Sequence, residues 1–198
     1  MFVKVCGLST PESIREAVDA GADAVGFVLT ASPRAVSPAH VAQLLAEVPA
    51  GVTAVGVFRH EPVADAVAIA RAAGLEWIQL HGERTRQDVK TGHDAGMRVI
   101  RAVTMDAPPD AFEDWGEDLL LVDAAVPGSG ERWDYGSMRD KGLEGRNWLL
   151  AGGLDPANVA EAARAADAWG VDVSSGVEQS RGIKDLAKIR GFVTAAKA

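Results

Sequence analysis

Two side chains in this sequence can move protons in a reaction near neutral pH, and each ends an apolar run. Cys6 ends the run Phe2–Cys6, and Asp123 ends the run Leu119–Asp123. A cysteine thiolate can take a proton from carbon where positive charge lowers its pKa from about 8.5. A carboxyl group at the tip of so apolar a segment gains a raised pKa and suits a general acid. Each residue is therefore a candidate for proton transfer.

Both residues also have a purely structural interpretation. Free cysteine is among the most commonly buried residue types, so the sequence by itself favours a small core residue at Cys6. An aspartate after a strand often accepts hydrogen bonds from the amides of the next turn, and for Asp123 this alternative is as well supported as catalysis. The local sequence leaves both alternatives open.

Two segments rich in small residues predict a phosphate site. They are Ala151-Gly152-Gly153-Leu154 and Ser174-Ser175-Gly176-Val177, and each follows an apolar run. Small residues leave backbone N–H groups exposed, and such groups bind phosphate well, above all where a helix begins. Either segment alone is compatible with an ordinary tight turn. Two of them after neighbouring strands favour phosphate binding.

Four further polar residues can contact a substrate or one another. Arg34 lies in the loop after the second apolar run, where its guanidinium can hold a carboxylate, although most loop arginines are only solvated. Of the four histidines, we expect His81 to face a site, and none has the spacing of metal ligands. Lys4 and Cys6 lie on the same side of a strand. A buried Lys4 ammonium needs a partner, and we expect it to be Asp172.

The composition narrows the classes of partner. The 198 residues are 47% hydrophobic and 24% charged, enough for one domain that spans residues 1–198. A net charge of -8 and a pI near 5.0 disfavour a nucleic acid or an anionic membrane as partner. The single cysteine excludes an internal disulfide and a cysteine zinc site. Because no apolar run approaches the roughly 20 residues of a membrane span, we expect a cytoplasmic protein.

Eight short apolar runs predict the strands that must position these residues. Most are continuously apolar, as in parallel strands that are covered on both faces. The runs are Phe2–Cys6, Ala24–Leu29, Thr53–Phe58, Glu76–Leu80, Met97–Val103, Leu119–Asp123, Asn147–Ala151 and Val171–Ser174.

Helix signals lie between the strands. Thr10-Pro11, Ser37-Pro38 and Asp155-Pro156 each place a capping side chain before a proline suited to the first helical turn. The alternation of strand and helix predicts an α/β protein with a single (β/α)₈ TIM barrel, compact for a fold that usually takes about 250 residues. A doubly wound open sheet is the alternative, but the first turn lacks its glycine-rich dinucleotide motif. In a barrel the active site lies after the carboxyl ends of the strands.

An ordered set of segments resembles the phosphoribosylanthranilate isomerase family, in register over nearly the whole chain. The segments are Lys4-Val-Cys-Gly7, Gly26-Phe27, Ser32-Pro33-Arg34, Val57-Phe58, Gln79-Leu-His-Gly82, Leu121-Val-Asp123, Ala151-Gly-Gly-Leu154, Asp172-Val-Ser-Ser-Gly-Val-Glu178 and Gly182-Ile-Lys184-Asp185. As an ordered set they are far more specific than any one of them. One departure is the loop Pro127-Gly128-Ser129-Gly130, where the family usually has Gly-Gly-Thr-Gly.

The resemblance implies an Amadori rearrangement of phosphoribosylanthranilate in tryptophan biosynthesis, with neither metal nor organic cofactor. Cys6 falls at the position of the family's general base and Asp123 at that of its general acid. The acid would open the ribose ring to a Schiff base, and the base would then remove the C2' proton. By the same resemblance Arg34 contacts the anthranilate carboxylate. The other residues that we expect to bind substrate are His81, Gly153, Asp172, Ser174, Ser175 and Gly176.

Two other functions compete with this one. The first is a related phosphate-binding barrel, such as an aminoimidazole-ribotide isomerase, or an enzyme with both activities. Such barrels usually work with two carboxylates, and Cys6 argues against them. The second is a non-catalytic barrel that binds a sugar phosphate or docks onto another protein of the pathway, since fold alone does not prove activity. The predicted partner is a small sugar phosphate, and monomer and homodimer both stay open.

Overall fold

Eight parallel strands pair in chain order and close into a barrel between β8 and β1 in the computed structural model, which describes residues 1–198. The strands are β1 Phe2–Cys6, β2 Ala24–Val28, β3 Thr53–Phe58, β4 Trp77–Leu80, β5 Arg98–Thr104, β6 Leu119–Asp123, β7 Trp148–Leu150 and β8 Gly170–Val173. The predicted barrel is confirmed, and every predicted strand end lies within one residue of the observed end.

Six α-helices surround the barrel, and none of them is long and apolar enough to cross a membrane. Thr10 and Ser37 cap the first two helices through their side chains, as predicted. Asp155 accepts hydrogen bonds from the amides of Ala157 and Asn158 as a capping side chain does, but these bonds close a turn just before the helix, which begins later than predicted, at Val159. The helices are α1 Pro11–Asp19, α2 Pro38–Leu44, α3 Val63–Ala72, α4 Arg86–Asp94, α5 Val159–Ala166 and α6 Leu186–Lys197.

Two connections depart from the alternation of strand and helix. The β5–β6 connection contains only the 3-10 helix Pro109–Phe112, and the β6–β7 connection only the 3-10 helix Tyr135–Lys141. The first includes the adjacent prolines Pro108 and Pro109, which cannot donate the amide hydrogen bonds of a helix interior. The barrel is therefore covered by irregular chain on this side.

Two short strands after β8 complete the mouth of the barrel. The strands β9, Glu178–Ser180, and β10, Ile183–Lys184, form a small antiparallel sheet. A short 3-10 helix, Ser175–Val177, joins β8 to this hairpin. The hairpin brings the segment after β8 back toward the loop after β2, where a Cβ on Gly182 would lie 2.7 Å from the carbonyl oxygen of Pro33.

The side chains of the strands divide the core into two parts. Alternate residues pack against the helices in a cluster of 41 buried residues. The others fill the barrel interior in a smaller cluster of Val55, Ile100, Ala102, Leu119, Leu121, Leu149 and Ala151. Lys4 and Cys6 lie on the interior face of β1, because Val3 and Val5 between and beside them belong to the outer cluster. This alternation directs Lys4 and Cys6 into the barrel interior.

Candidate active site

A cavity of about 230 Å³ opens at the carboxyl ends of the strands. It brings together residues from loops that are far apart in the sequence. The predicted site residues that line it are Cys6, Arg34, His81, Asp123, Gly153, Asp172, Ser174 and Ser175. Gly176 is the one predicted residue outside this lining.

Cys6 lies in the floor of the cavity beside a buried ammonium group. A Cβ on Gly26 would lie 2.9 Å from Cys6 Sγ and 3.2 Å from Lys4 Nζ, so only glycine leaves room for this pair. Burial raises the pKa of the Cys6 thiol, while the positive charges of Lys4 and Lys184 act to lower it. The thiol is therefore buried, but the nearby cations Lys4 and Lys184 favour its thiolate form.

Lys4 forms the buried ion pair that the sequence predicted. Its Nζ lies 2.8 Å from Asp172 Oδ1, and the two residues are paired in register across β1 and β8. Burial opposes the ammonium charge, but Asp172 and Cys6 together raise the pKa of Lys4 above its usual value. Lys4 therefore carries a fixed positive charge beneath the thiol.

Asp123 ends β6 on another side of the same cavity. Its Oδ1 accepts a hydrogen bond of 2.8 Å from the amide of Ala124, so the turn contact considered from the sequence is present. Burial and, to a smaller extent, the negative charge of Asp172 raise the pKa of Asp123 to about 7, against the opposing effect of this hydrogen bond. A carboxyl group that holds its proton near neutral pH can act as a general acid.

The two loops after β7 and β8 meet so closely that their glycines have no space for a side chain. A Cβ on Gly153 would lie 2.3 Å from the carbonyl oxygen of Glu131, and one on Gly176 would lie 1.8 Å from that of Leu154. Gly176 thus packs the two loops together. The backbone N–H groups of Gly153 and Ser175 donate no hydrogen bond within the chain, so they are available to an anion.

Arg34 is held by the carboxylate of Glu178, for which the sequence indicates no role. Arg34 Nε and Nη2 donate to the two carboxylate oxygens of Glu178, at 2.6 and 3.1 Å. Lys184 Nζ lies 3.2 Å from the same carboxylate and donates to the carbonyl oxygen of Ser174 at 2.7 Å. Arg34 and Glu178 are 144 residues apart, and only the resemblance pointed to Glu178 and Lys184.

His81 lies in the cavity wall after β4 and is neutral. Burial, together with the positive charges of Lys4, Arg59 and Arg84, lowers the pKa of His81 to about 3. Its Nε2 lies 2.7 Å from the side-chain amide of Gln79, a fully buried residue that also lines the cavity. No sequence pattern indicates that Gln79 or Arg59 lines the cavity.

The chain matches one protein family over nearly its whole length. The model of the N-(5'phosphoribosyl)anthranilate (PRA) isomerase family matches residues 3–195. The N-(5'-phosphoribosyl)anthranilate isomerase of Paracoccus denitrificans is 43% identical, over 99% of this chain and 97% of that protein. The chain belongs to the PRA isomerase family.

Solved structures of the PRA isomerase family have the same barrel over their full length. The TrpF protein of Jonesia denitrificans is 44% identical with a TM-score of 0.87, over 100% of this chain and 97% of that one. A phosphoribosyl anthranilate isomerase in complex with reduced 1-(o-carboxyphenylamino)-1-deoxyribulose 5-phosphate is 34% identical with a TM-score of 0.86, over 100% of this chain and 98% of that one.

Proposed function

We propose that Cys6 and Asp123 are the base and the acid of the isomerase reaction. As a member of the family, this chain converts N-(5'-phosphoribosyl)anthranilate to 1-(2-carboxyphenylamino)-1-deoxyribulose 5-phosphate in tryptophan biosynthesis. The relative solved with a reduced form of this product supports the substrate class. The observation that carries the proposal is that one cavity contains both the thiol at the end of β1 and the carboxyl group at the end of β6.

The reaction needs two proton transfers, one to the ring oxygen and one from C2', the two ring atoms that are bonded to C1'. Asp123 donates its proton to the ring oxygen, the C1'–O bond breaks, and the nitrogen lone pair forms the Schiff base. The Cys6 thiolate then removes the proton from C2', which gives the enolamine that tautomerises to the ketone. Lys4 stabilises the thiolate through its positive charge, and Asp172 holds Lys4 in place.

The pKa values set the form of the enzyme that can react. The productive form has a Cys6 thiolate and a protonated Asp123. Because the pKa of Asp123 is about 7 and burial raises that of Cys6, this form is the less populated of the two forms that share one proton. Cys6 and Asp123 together hold one proton in the productive form. We therefore expect a bell-shaped pH profile of kcat/KM, because activity is lost when the two residues hold either two protons or none. Activity falls below about pH 7, where both groups are protonated, and again above the raised pKa of Cys6, where both are ionised.

The remaining predicted residues hold the two ends of the substrate. The free amides of Gly153 and Ser175, with Ser174 beside them, bind the phosphate, and Gly176 allows the loops to approach. Arg34 keeps its Nη1 donors for the anthranilate carboxylate, while Glu178 fixes the other edge of its guanidinium. We propose that neutral His81 forms hydrogen bonds with the ribose hydroxyl groups.

The disappearance of phosphoribosylanthranilate fluorescence after addition of purified protein tests this assignment. We expect Cys6→Ala and Asp123→Asn each to lower kcat by about 10² to 10⁴-fold, the usual contribution of a positioned acid or base. Circular dichroism and the unfolding temperature would show that both variants fold. Nearly unchanged turnover of either variant would contradict its role. Tight binding by the wild-type protein without turnover would instead support the non-catalytic barrel.

We also propose the setting in which the enzyme works. It acts as one domain over residues 1–198 in the cytoplasm, on a small sugar phosphate and not on a nucleic acid or membrane. The net charge of -8 supports this choice of partner. Sedimentation of the purified protein distinguishes the monomer from the homodimer.

A further inference from the structure

The order of the strands predicts where the aromatic end of the substrate lies. This inference rests on the proposed function, in which the phosphate binds between the loops after β7 and β8. In a closed barrel of eight strands in chain order, the β3 and β4 strands lie opposite β7 and β8. The strands that carry Cys6 and Asp123, β1 and β6, lie on either side of this line. A substrate with its ribose between those two residues therefore directs its anthranilate ring toward β3 and β4.

One arginine at that end of the cavity has no partner. Arg59 directly follows β3 and lines the cavity, yet its guanidinium forms no hydrogen bond or ion pair within the chain. By contrast, Glu178 occupies one edge of Arg34. Arg84 donates to the carbonyl oxygens of His81, Glu61 and Arg59.

The surroundings of Arg59 fit an aromatic carboxylate. Val28 and Val57 form an apolar cluster with Cys6 at the cavity wall, which provides a surface for a ring. The backbone of Arg59 is fixed, because its carbonyl oxygen accepts the Arg84 hydrogen bond at 3.0 Å. The positive charge of Arg59 lowers the pKa of both Asp123 and His81, which places the guanidinium within electrostatic range of the cavity.

We propose that Arg59 binds the carboxylate of the anthranilate ring and is a specificity residue for this reaction. Its guanidinium can form two parallel hydrogen bonds with a carboxylate, which the neutral residues of the wall cannot do. It complements Arg34, whose charge is already largely balanced by Glu178. Arg59 follows β3, away from the phosphate loops after β7 and β8, and in the proposed mechanism it transfers no proton itself.

A pair of ligands that differ only in the carboxylate tests this proposal. The first is reduced 1-(o-carboxyphenylamino)-1-deoxyribulose 5-phosphate, and the second is the same compound with hydrogen in place of the carboxyl group. Calorimetric titration gives the dissociation constant of each for the wild-type protein and for Arg59→Met. We expect Arg59→Met to weaken the first ligand by about 10- to 100-fold, as for a hydrogen bond to a charged group. The second ligand should change by less than about threefold.

Arg181→Met is the matched control, because Arg181 is an exposed arginine that lines the same cavity from the β9–β10 turn. A general electrostatic effect would weaken both ligands equally in this variant and would show no selectivity for the carboxylate. Equal weakening of both ligands by Arg59→Met would overturn the proposal. Wild-type protein that neither binds the first ligand nor turns over phosphoribosylanthranilate would instead refute the proposed function. Steady-state kinetics of Arg59→Met should show a raised KM with little change in kcat.

Discussion

Two regions of this barrel bury cations against carboxylates and use them differently. At the mouth, Lys4 pairs with Asp172 beneath the cavity, beside Cys6 and Asp123. On the outer side, the fully buried Arg101 of β5 pairs with Glu117, which also binds Arg146 at 3.0 Å. Both pairs are removed from water, but only the first borders the cavity that contains Cys6 and Asp123.

The outer network replaces a missing helix. Arg101 donates to the backbone carbonyl oxygens of Ala111 and Glu113, at 2.6 and 2.9 Å, and its guanidinium lies 4.0 Å from the centre of the Trp115 ring. These contacts attach the irregular β5–β6 connection to the barrel. The comparison shows that a buried ion pair bound to backbone stabilises a loop, whereas one placed beside a thiol and a carboxyl group changes their protonation.

Removal of Lys4 should have the largest effect, because it leaves Asp172 without its partner and, in the proposed mechanism, takes away the cation beside the Cys6 thiolate. In Lys4→Met, Asp172 becomes a buried unpaired charge, which should lower the free energy of unfolding by about 3 to 5 kcal/mol. Loss of the cation also raises the pKa of Cys6 further, so we expect kcat to fall by about 10- to 100-fold, one decade for each pKa unit. Urea unfolding and the pH profile of kcat measure the two effects.

The double variant Lys4→Met/Asp172→Asn separates these two effects. It has no charge left in the buried pair, so most of the lost stability should return. The low activity should persist, because the thiolate still lacks its cation. Recovery of activity together with stability would mean that Lys4 serves only the fold.

Disruption of the outer network should affect stability alone. In Glu117→Gln, the charge of Arg101 is left without its buried counter-charge, which should lower the free energy of unfolding by about 3 kcal/mol. We expect kcat and KM to stay at the wild-type values, since the network lies outside the cavity. The matched control is Glu113→Gln, which removes a carboxylate from an exposed pair with Arg86 and should change stability little. A large loss of kcat in Glu117→Gln would contradict the division between the two regions.

The substitution with the smallest expected effect is Asp123→Asn, which should stabilise the folded state at high pH. Ionised Asp123 destabilises the folded state, because its pKa is about 7 there and 3.8 is its ordinary value. The wild-type protein therefore loses stability as the pH rises from about 4 to 7, whereas Asp123→Asn does not. At pH 8 the variant should be more stable by about 1 to 4 kcal/mol, at about 1.4 kcal/mol for each pKa unit. Thermal unfolding of the wild-type protein and of Asp123→Asn at pH 4 and pH 8 checks this prediction. A stability difference between the two proteins that is equal at both pH values would contradict it.

Much of the mouth could be predicted because strand ends in a parallel barrel have a fixed relation to one another. Continuous apolar runs located β1, β6 and β8, and the interior alternation of β1 then placed Lys4 beside Cys6. The neighbouring positions of β1 and β8 in a closed barrel gave the Lys4–Asp172 pair. The sequence gives no comparable indication for Arg101 or Arg59. Nothing in the residues next to either arginine shows which group its guanidinium contacts.

The sequence by itself determined the strands and the barrel, because apolar periodicity is a local property. Residue chemistry and the family resemblance then gave Cys6 and Asp123 as candidates for proton transfer. Only the tertiary structure decided which charges meet, as in the pairing of Arg34 with Glu178 and of Arg101 with Glu117. It also decided the pKa of Asp123, which depends on burial and on the distant Asp172. Charges interact through space at distances that the chain sets only once it is folded, so their partners and their protonation belong to the fold.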